Sequence, residues 1–120
     1  RNLVEHKNSV DALAIHPTKK GFFATGAHDR TIKLWDASKE KSNATFSADD
    51  KGVVFRLLAQ GEAIASASSS GFCKIWDPKT KTSVLKLNAH KGFAFWVKYS
   101  QDGNSLLTCG SDLKVNLFDL

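Results

Sequence analysis

The sequence predicts an all-β fold assembled from three repeated four-stranded units, and three observations point there. The first is a stretch that returns: Asp29-Arg30-Thr31-Ile32-Lys33-Leu34-Trp35-Asp36 has weaker copies at Ser70 to Asp77 and at Asp112 to Asp119. Their aromatic residues, Trp35, Trp76 and Phe118, stand 41 and 42 residues apart, a period that belongs to propellers and solenoids. The second is apolar alternation within each short run, the signature of half-buried strands. The third is punctuation by Gly, Pro, Asp and Ser every few residues, the chemistry of tight turns.

Each element follows from those rules. Val10 to Ile15 is a strand in which Val10, Leu13 and Ile15 are the apolar set, and His16-Pro17-Thr18-Lys19-Lys20-Gly21 turns it into Phe22 to Thr25. Gly26 to Arg30 turns the chain again into Thr31 to Trp35, and Ala37 to Lys41 is a polar link. The second unit repeats the plan with Asn43 to Phe46, Val53 to Ala59, Ala63 to Ser66 and Phe72 to Trp76. Its first turn, Gln60-Gly61-Glu62, is short, offset by extra residues at Ala48 to Lys51. Pro78 gives no N–H to a ladder and so ends the strand before it. The third unit runs through Ser83 to Leu87, Ala94 to Tyr99, Leu106 to Thr108 and the return that ends at Phe118, with Ala94, Val97 and Tyr99 matching Val10, Leu13 and Ile15.

Composition sets the bounds. A chain of 120 residues with 42% hydrophobic and 24% charged residues fits one globular domain. It contains no apolar run of the roughly 20 residues that span a bilayer and no apolar leader, so neither secretion nor membrane insertion is expected. Methionine is absent, even at position 1, so the chain is expected to be a processed product or a segment of a longer one. Cys73 and Cys109 lie within apolar strands without metal-ligand spacing. They read as buried reduced thiols of an intracellular protein, cytoplasmic or nuclear. The sequon Asn43-Ala44-Thr45 reads as a chance match. The net charge of +5 comes from scattered loop lysines rather than a basic block.

The residues carry a resemblance along the whole chain: His6, Thr25-Gly26, Asp29 and Trp35-Asp36, then Ser66 with Trp76-Asp77, then His90, Thr108, Asp112 and Phe118-Asp119. In that register the sequence resembles three WD40 repeats, at 1–36, 37–77 and 78–120. The resemblance implies a β-propeller in which each repeat gives the outer strand of one blade and the three inner strands of the next. Such propellers close as rings, usually of seven blades. Three units would then be part of a larger propeller, or two copies would pair with Leu3-Val4 of each adding the strand after Phe118.

The resemblance also implies a buried structural tetrad of His, Ser or Thr, Asp and Trp in each blade. Repeat 1 has the full set at His6, Thr25, Asp29 and Trp35. Asp29 can accept from a ring N–H of His6, the other ring nitrogen from Thr25, and the hydroxyl from the Trp35 indole, which satisfies every buried polar group. Repeat 3 keeps His90, Thr108 and Asp112 but ends in Phe118, without an indole donor. Repeat 2 has Ser66 and Trp76, with Ser70 in place of the acid and Asp49 or Asp50 in place of the histidine.

Catalytic, metal and cofactor motifs are missing from the sequence. His6 and His90 share one repeat position and read as structural, His28-Asp29 are adjacent in a turn and should not face each other, and His16 reads as solvated. Ser68-Ser69-Ser70-Gly71 reads as a turn rather than a phosphate cradle. What remains is surface. By resemblance, the turns before the first strand and between the second and third strands form a partner-binding face. Here those positions are Ser9, Asp11, Ala27, His28 and Arg30 in repeat 1, and Phe93, Phe95, Ser111 and Lys114 in repeat 3. Phe93 and Phe95 are the expected anchors, with Arg30 and Lys114 pairing an acidic partner; the structural alternative is that they pack against a neighbouring blade. The expected role is a non-catalytic scaffold for protein partners within a complex, without cofactor, and the alternative is RNA or anionic lipid held by Lys79, Lys81 and Lys86.

The incomplete tetrad of repeat 2 makes that unit the expected weak point. In native-state hydrogen exchange the amides of Ile64 to Ser66 should exchange sooner than those of Ala24 to Gly26. Strong protection at Ile64 to Ser66 would contradict this.

Overall fold

The computed structural model describes residues 2–47, 54–60 and 63–120, with Phe46 and 54–60 described by their backbone. Asp49, Asp50, the extra residues at 48–51 and the turn residues Gly61 and Glu62 therefore lie outside the described residues. Eleven strands are described. β1 (Val10–Ile15), β2 (Phe22–Ala27), β3 (Thr31–Asp36) and β4 (Ala44–Ser47) form the first antiparallel sheet, in that order. β5 (Val54–Gln60), β6 (Ala63–Ser68), β7 (Phe72–Asp77) and β8 (Thr82–Asn88) form the second. β9 (Ala94–Tyr99), β10 (Ser105–Gly110) and β11 (Val115–Asp119) form a three-stranded third. The fourth strand of each complete sheet comes from the repeat that follows, since β4 lies in 37–77 and β8 in 78–120. Leu3 and Val4 are in no strand, and Val4 is exposed.

The sheets stack side by side, with β5 packed between β1 and β9. Two cores fill the two boundaries. Ala12, Ala14, Ala24 and Ile32 of the first sheet meet Ile64 and Trp76 of the second. Ala65, Ala67, Cys73 and Ile75 of the second meet Ala94, Val97 and Leu106 of the third, with Phe118 packed alongside. Alanine dominates the facing positions, which lets two sheets approach closely while Ile, Leu and Trp fill the remainder.

This arrangement decides which face of β1 is covered. Val10, Leu13 and Ile15 are exposed, whereas Ala12 and Ala14 are buried. Strand alternation puts Leu13 and Ile15 on the face opposite Ala12 and Ala14, Val10 lies beyond a one-residue slip in register, and the second sheet covers the alanine face. In β9 the relation reverses: Ala94 and Val97 are buried against the second sheet, and Trp96 and Lys98 are exposed. Burial thus follows which side has a neighbour. Cys73 is buried, and burial, aided by nearby Cys109, pushes its thiol up to about 12. Cys109 is only half-buried.

The turns repeat as faithfully as the strands. Arg30, Gly71 and Leu113 occupy one position in the β2–β3, β6–β7 and β10–β11 turns, and all three have left-handed backbones with φ of 66°, 86° and 68°. Glycine adopts this conformation without strain, whereas Arg and Leu hold it at a cost of about 1–2 kcal/mol. At Gly71 a second constraint applies. Its carbonyl accepts from the His90 amide at 3.1 Å, and a Cβ there would strike the His90 carbonyl oxygen and lie 2.6 Å from that of Gly92.

Gly71→Ala is therefore expected to destabilise the chain by about 2–4 kcal/mol, seen as a lower urea midpoint with an unchanged slope. A loss below half a kcal/mol would show that the turn relaxes away from the third sheet.

Candidate functional site: a partner-binding face above two polar relays

Antiparallel meanders put the β2–β3, β6–β7 and β10–β11 turns at one end of the sheets, together with the segments entering β1 and β9. At this end of the first sheet, His6 Nδ1 lies 2.9 Å from Asp29 Oδ2, His6 Nε2 2.6 Å from Thr25 Oγ1, and Trp35 Nε1 donates to Thr25 Oγ1 at 2.8 Å. A neutral ring protonated on Nδ1 satisfies all of them: Nδ1–H donates to the carboxylate, the threonine hydroxyl donates to Nε2, and the hydroxyl oxygen accepts from the indole. Asp29 also accepts from the Thr31 hydroxyl and amide and from the Lys7 amide. Burial works to raise its pKa, but these hydrogen bonds prevail and hold the carboxyl at about 2.

The third sheet repeats the relay without its last donor. His90 Nδ1 lies 2.8 Å from Asp112 Oδ1 and Nε2 2.9 Å from Thr108 Oγ1, and Phe118 packs into the core. Burial opposes ionisation of Asp112, yet bonds from His90 and from the Lys91 and Lys114 amides lower its pKa. In the second sheet Trp76 Nε1 donates to Ser66 Oγ at 2.9 Å, while Ser70 pairs with Ser68 at 2.6 Å. All four histidines are placed. His28 does not turn to Asp29; its Nε2 meets the carboxylate of Asp11. His16, expected to be solvated, is half-buried, and its Nδ1 accepts from the Thr18 and Lys19 amides at 3.1 and 2.9 Å, which closes the turn.

Above the relays, the surface positions pair across equivalent loops. The His28 amide donates to the Ser9 carbonyl at 2.8 Å, and the Ser111 amide donates to the Phe93 carbonyl at 2.9 Å. Ser111 Oγ in turn accepts from the Phe93 amide. The register slips by one residue in each inner strand, at Asp11, Phe55 and Phe95. Such bulges bend a strand and increase its twist locally. Phe93 and Phe95 meet edge to face with centroids 5.8 Å apart and are 48% and 45% exposed.

Sequence reasoning missed Leu113, which is 97% exposed in the left-handed position beside Lys114. Its signal was readable: a bulky apolar residue where the second repeat has Gly71. Lys86, one of the lysines in the nucleic-acid alternative, lies over the Phe72 ring at 4.0 Å. Among the described residues no group of acids, histidines and cysteines could hold a metal ion, and no helix is long and apolar enough to cross a membrane.

Stacked four-stranded meanders with inner strands side by side are the blades of a β-propeller. The chain belongs to the WD40 family, described as WD domain, G-beta repeat, whose model matches residues 1–36 and 81–119. It is similar to the solved WD40 β-propeller domain of Doa1, with a TM-score of 0.87 and 28% identity over 98% of this chain and 39% of that one. Among curated proteins it is 32% identical to Pre-mRNA-processing factor 19 homolog 2 of Arabidopsis thaliana, over 98% of this chain and 23% of that protein. It is 28% identical to the GATOR2 complex protein WDR24 of Danio rerio, over 97% of this chain and 15% of that protein. The chain thus spans less than a quarter of the length of either.

The carboxylate of Asp29 yields a signed pH test. Its pKa falls from an ordinary 3.8 to about 2 on folding, so its stabilisation is complete above about pH 4 and fades as pH drops toward 2. Asp29→Asn should lower stability at pH 7 by about 1–2 kcal/mol and flatten the acid limb of unfolding between pH 4 and 2. An unchanged acid limb would mean that the bonds to Asp29 do not distinguish folded from unfolded chains.

Proposed function

We infer that this chain is a non-catalytic scaffold that holds protein partners at the turn end of its sheets, with Phe93, Phe95 and Leu113 as the apolar anchor and Arg30 and Lys114 as flanking cations. Asp11, His28, Ser9 and Ser111 frame the same end. The observation that carries this reading is Leu113, held in a strained backbone and nearly wholly exposed at the same end of the third sheet as two half-exposed phenylalanines. A bulky apolar side chain kept in water at a conformational cost is useful to an anchor and of little use to packing. The class is supported by one similar protein, the GATOR2 complex protein WDR24, which is named for the complex it belongs to.

The test replaces Phe93 with Ala and Leu113 with Gly in the full chain and measures bound proteins by quantitative mass spectrometry. Each change should reduce at least one specific partner about ten-fold. Leu113→Gly should also leave stability equal or raise it by up to about 1 kcal/mol, since it relieves the left-handed strain. An unaltered set of bound proteins, or recovery of RNA alone, would remove the proposal.

A further inference from the structure

At the opposite end of the sheets, between the first and second, lies a mostly apolar cavity of about 260 Å³. Its buried floor is Ala14, Ala24 and Ile64, all members of the core that joins the two sheets. Phe22, Leu34 and Pro78 add apolar wall, and Lys19, Asn43 and Lys79 come from three separate turns. The turns at this end carry six exposed lysines, Lys19, Lys20, Lys39, Lys41, Lys79 and Lys81. Against them stand four described acids, Asp36, Glu40, Asp77 and Glu5, the last bound to Ser42 beside Lys41. Two of those acids fold back into their own turns: Asp36 accepts from the Ser38 amide at 2.9 Å and hydroxyl at 2.7 Å, and Asp77 from the Lys79 amide at 2.9 Å. The end therefore presents a positive field around a greasy slot.

We propose that this lysine-flanked cavity docks an acidic peptide segment, which inserts one bulky apolar side chain between the sheets while its carboxylates meet the surrounding lysines. The volume lies below the roughly 300–1,000 Å³ of pockets that enclose drug-sized ligands, so it suits a single side chain. Charge complementarity selects the flanks of the segment. Asn43 brings a side-chain amide that donates and accepts, the chemistry that a peptide backbone needs and an acyl chain does not. The site is separate from the Phe93 and Leu113 end, so a scaffold of this shape has two faces able to hold different chains.

The probe is a fluorescein-labelled peptide with one Phe flanked on each side by three Glu, compared with versions carrying Ser for the Phe or Lys for the Glu. With the full chain, anisotropy should show saturable binding of the first and at least about ten-fold weaker binding of the others. Asn43→Trp, which adds bulk to the cavity lining, and Lys79→Glu should each weaken binding about five-fold or more. Lys98→Glu, the same charge change on an exposed strand of the third sheet, should leave it unaltered. Equal binding of the Phe and Ser peptides would reduce the site to non-specific charge and overturn the proposal. So would absence of binding by a folded chain, or capture of phosphatidylserine vesicles that the acidic peptide fails to displace.

Discussion

The closeness of consecutive sheets is the constraint on which everything else rests. A sheet here has two apolar faces, and its apolar side chains leave water on the faces that another sheet covers. Ala12, Ala14 and Ala24 on one side and Ala65, Ala67 and Ala94 on the other keep the facing backbones close enough for Ile64, Trp76, Val97 and Leu106 to fill the space between. Close approach also decides the turns. Gly71 has no side chain because the His90 and Gly92 carbonyls already occupy that volume. The same contact delivers the hydrogen bond from His90 to Gly71, so packing between sheets and placement of a relay histidine are one event.

The relays turn that packing into a defined surface. A buried histidine is costly unless both ring nitrogens are satisfied, and His6 and His90 reach that state only with their loops fixed over Asp29 and Asp112. The carbonyls of the adjoining loop residues, Ser9 and Phe93, then accept hydrogen bonds from the His28 and Ser111 amides. Rigid backbone beneath exposed side chains lowers the entropy that binding must overcome. Along the opposite strand edge of the first sheet, a second polar set serves anchoring alone: Glu5 accepts from the Ser42 hydroxyl at 2.9 Å, and Lys33 donates to Thr45 at 2.9 Å.

Much of this was legible in the sequence because it is local and repeated. Strand positions, turn positions and the pairing of His6 with Thr25 and Asp29 all follow from a period near 41 residues and from which polar groups can satisfy one another. What resisted reading was relational. Whether Leu13 or Ala12 is buried depends on which face has a neighbour, and a strand's own alternation is silent on that. The contact of His28 with Asp11 falls at a one-residue slip in β1, which no residue type announces. The cavity between the first two sheets draws on residues from Ala14 to Lys79 and has no motif at all. Leu113 was overlooked for the opposite reason, since its peculiarity lies in comparison with Gly71 rather than in itself.

The offset between repeat and sheet has a mechanical corollary. Because β4 and β8 are each continuous with the sheet that follows, a force that pulls one sheet from the stack must also unzip the rim of the one before it. Damage then spreads upstream through shared strands. The array resists shear as overlapping roof tiles do, by having no seam at which covalent chain and folded layer both stop.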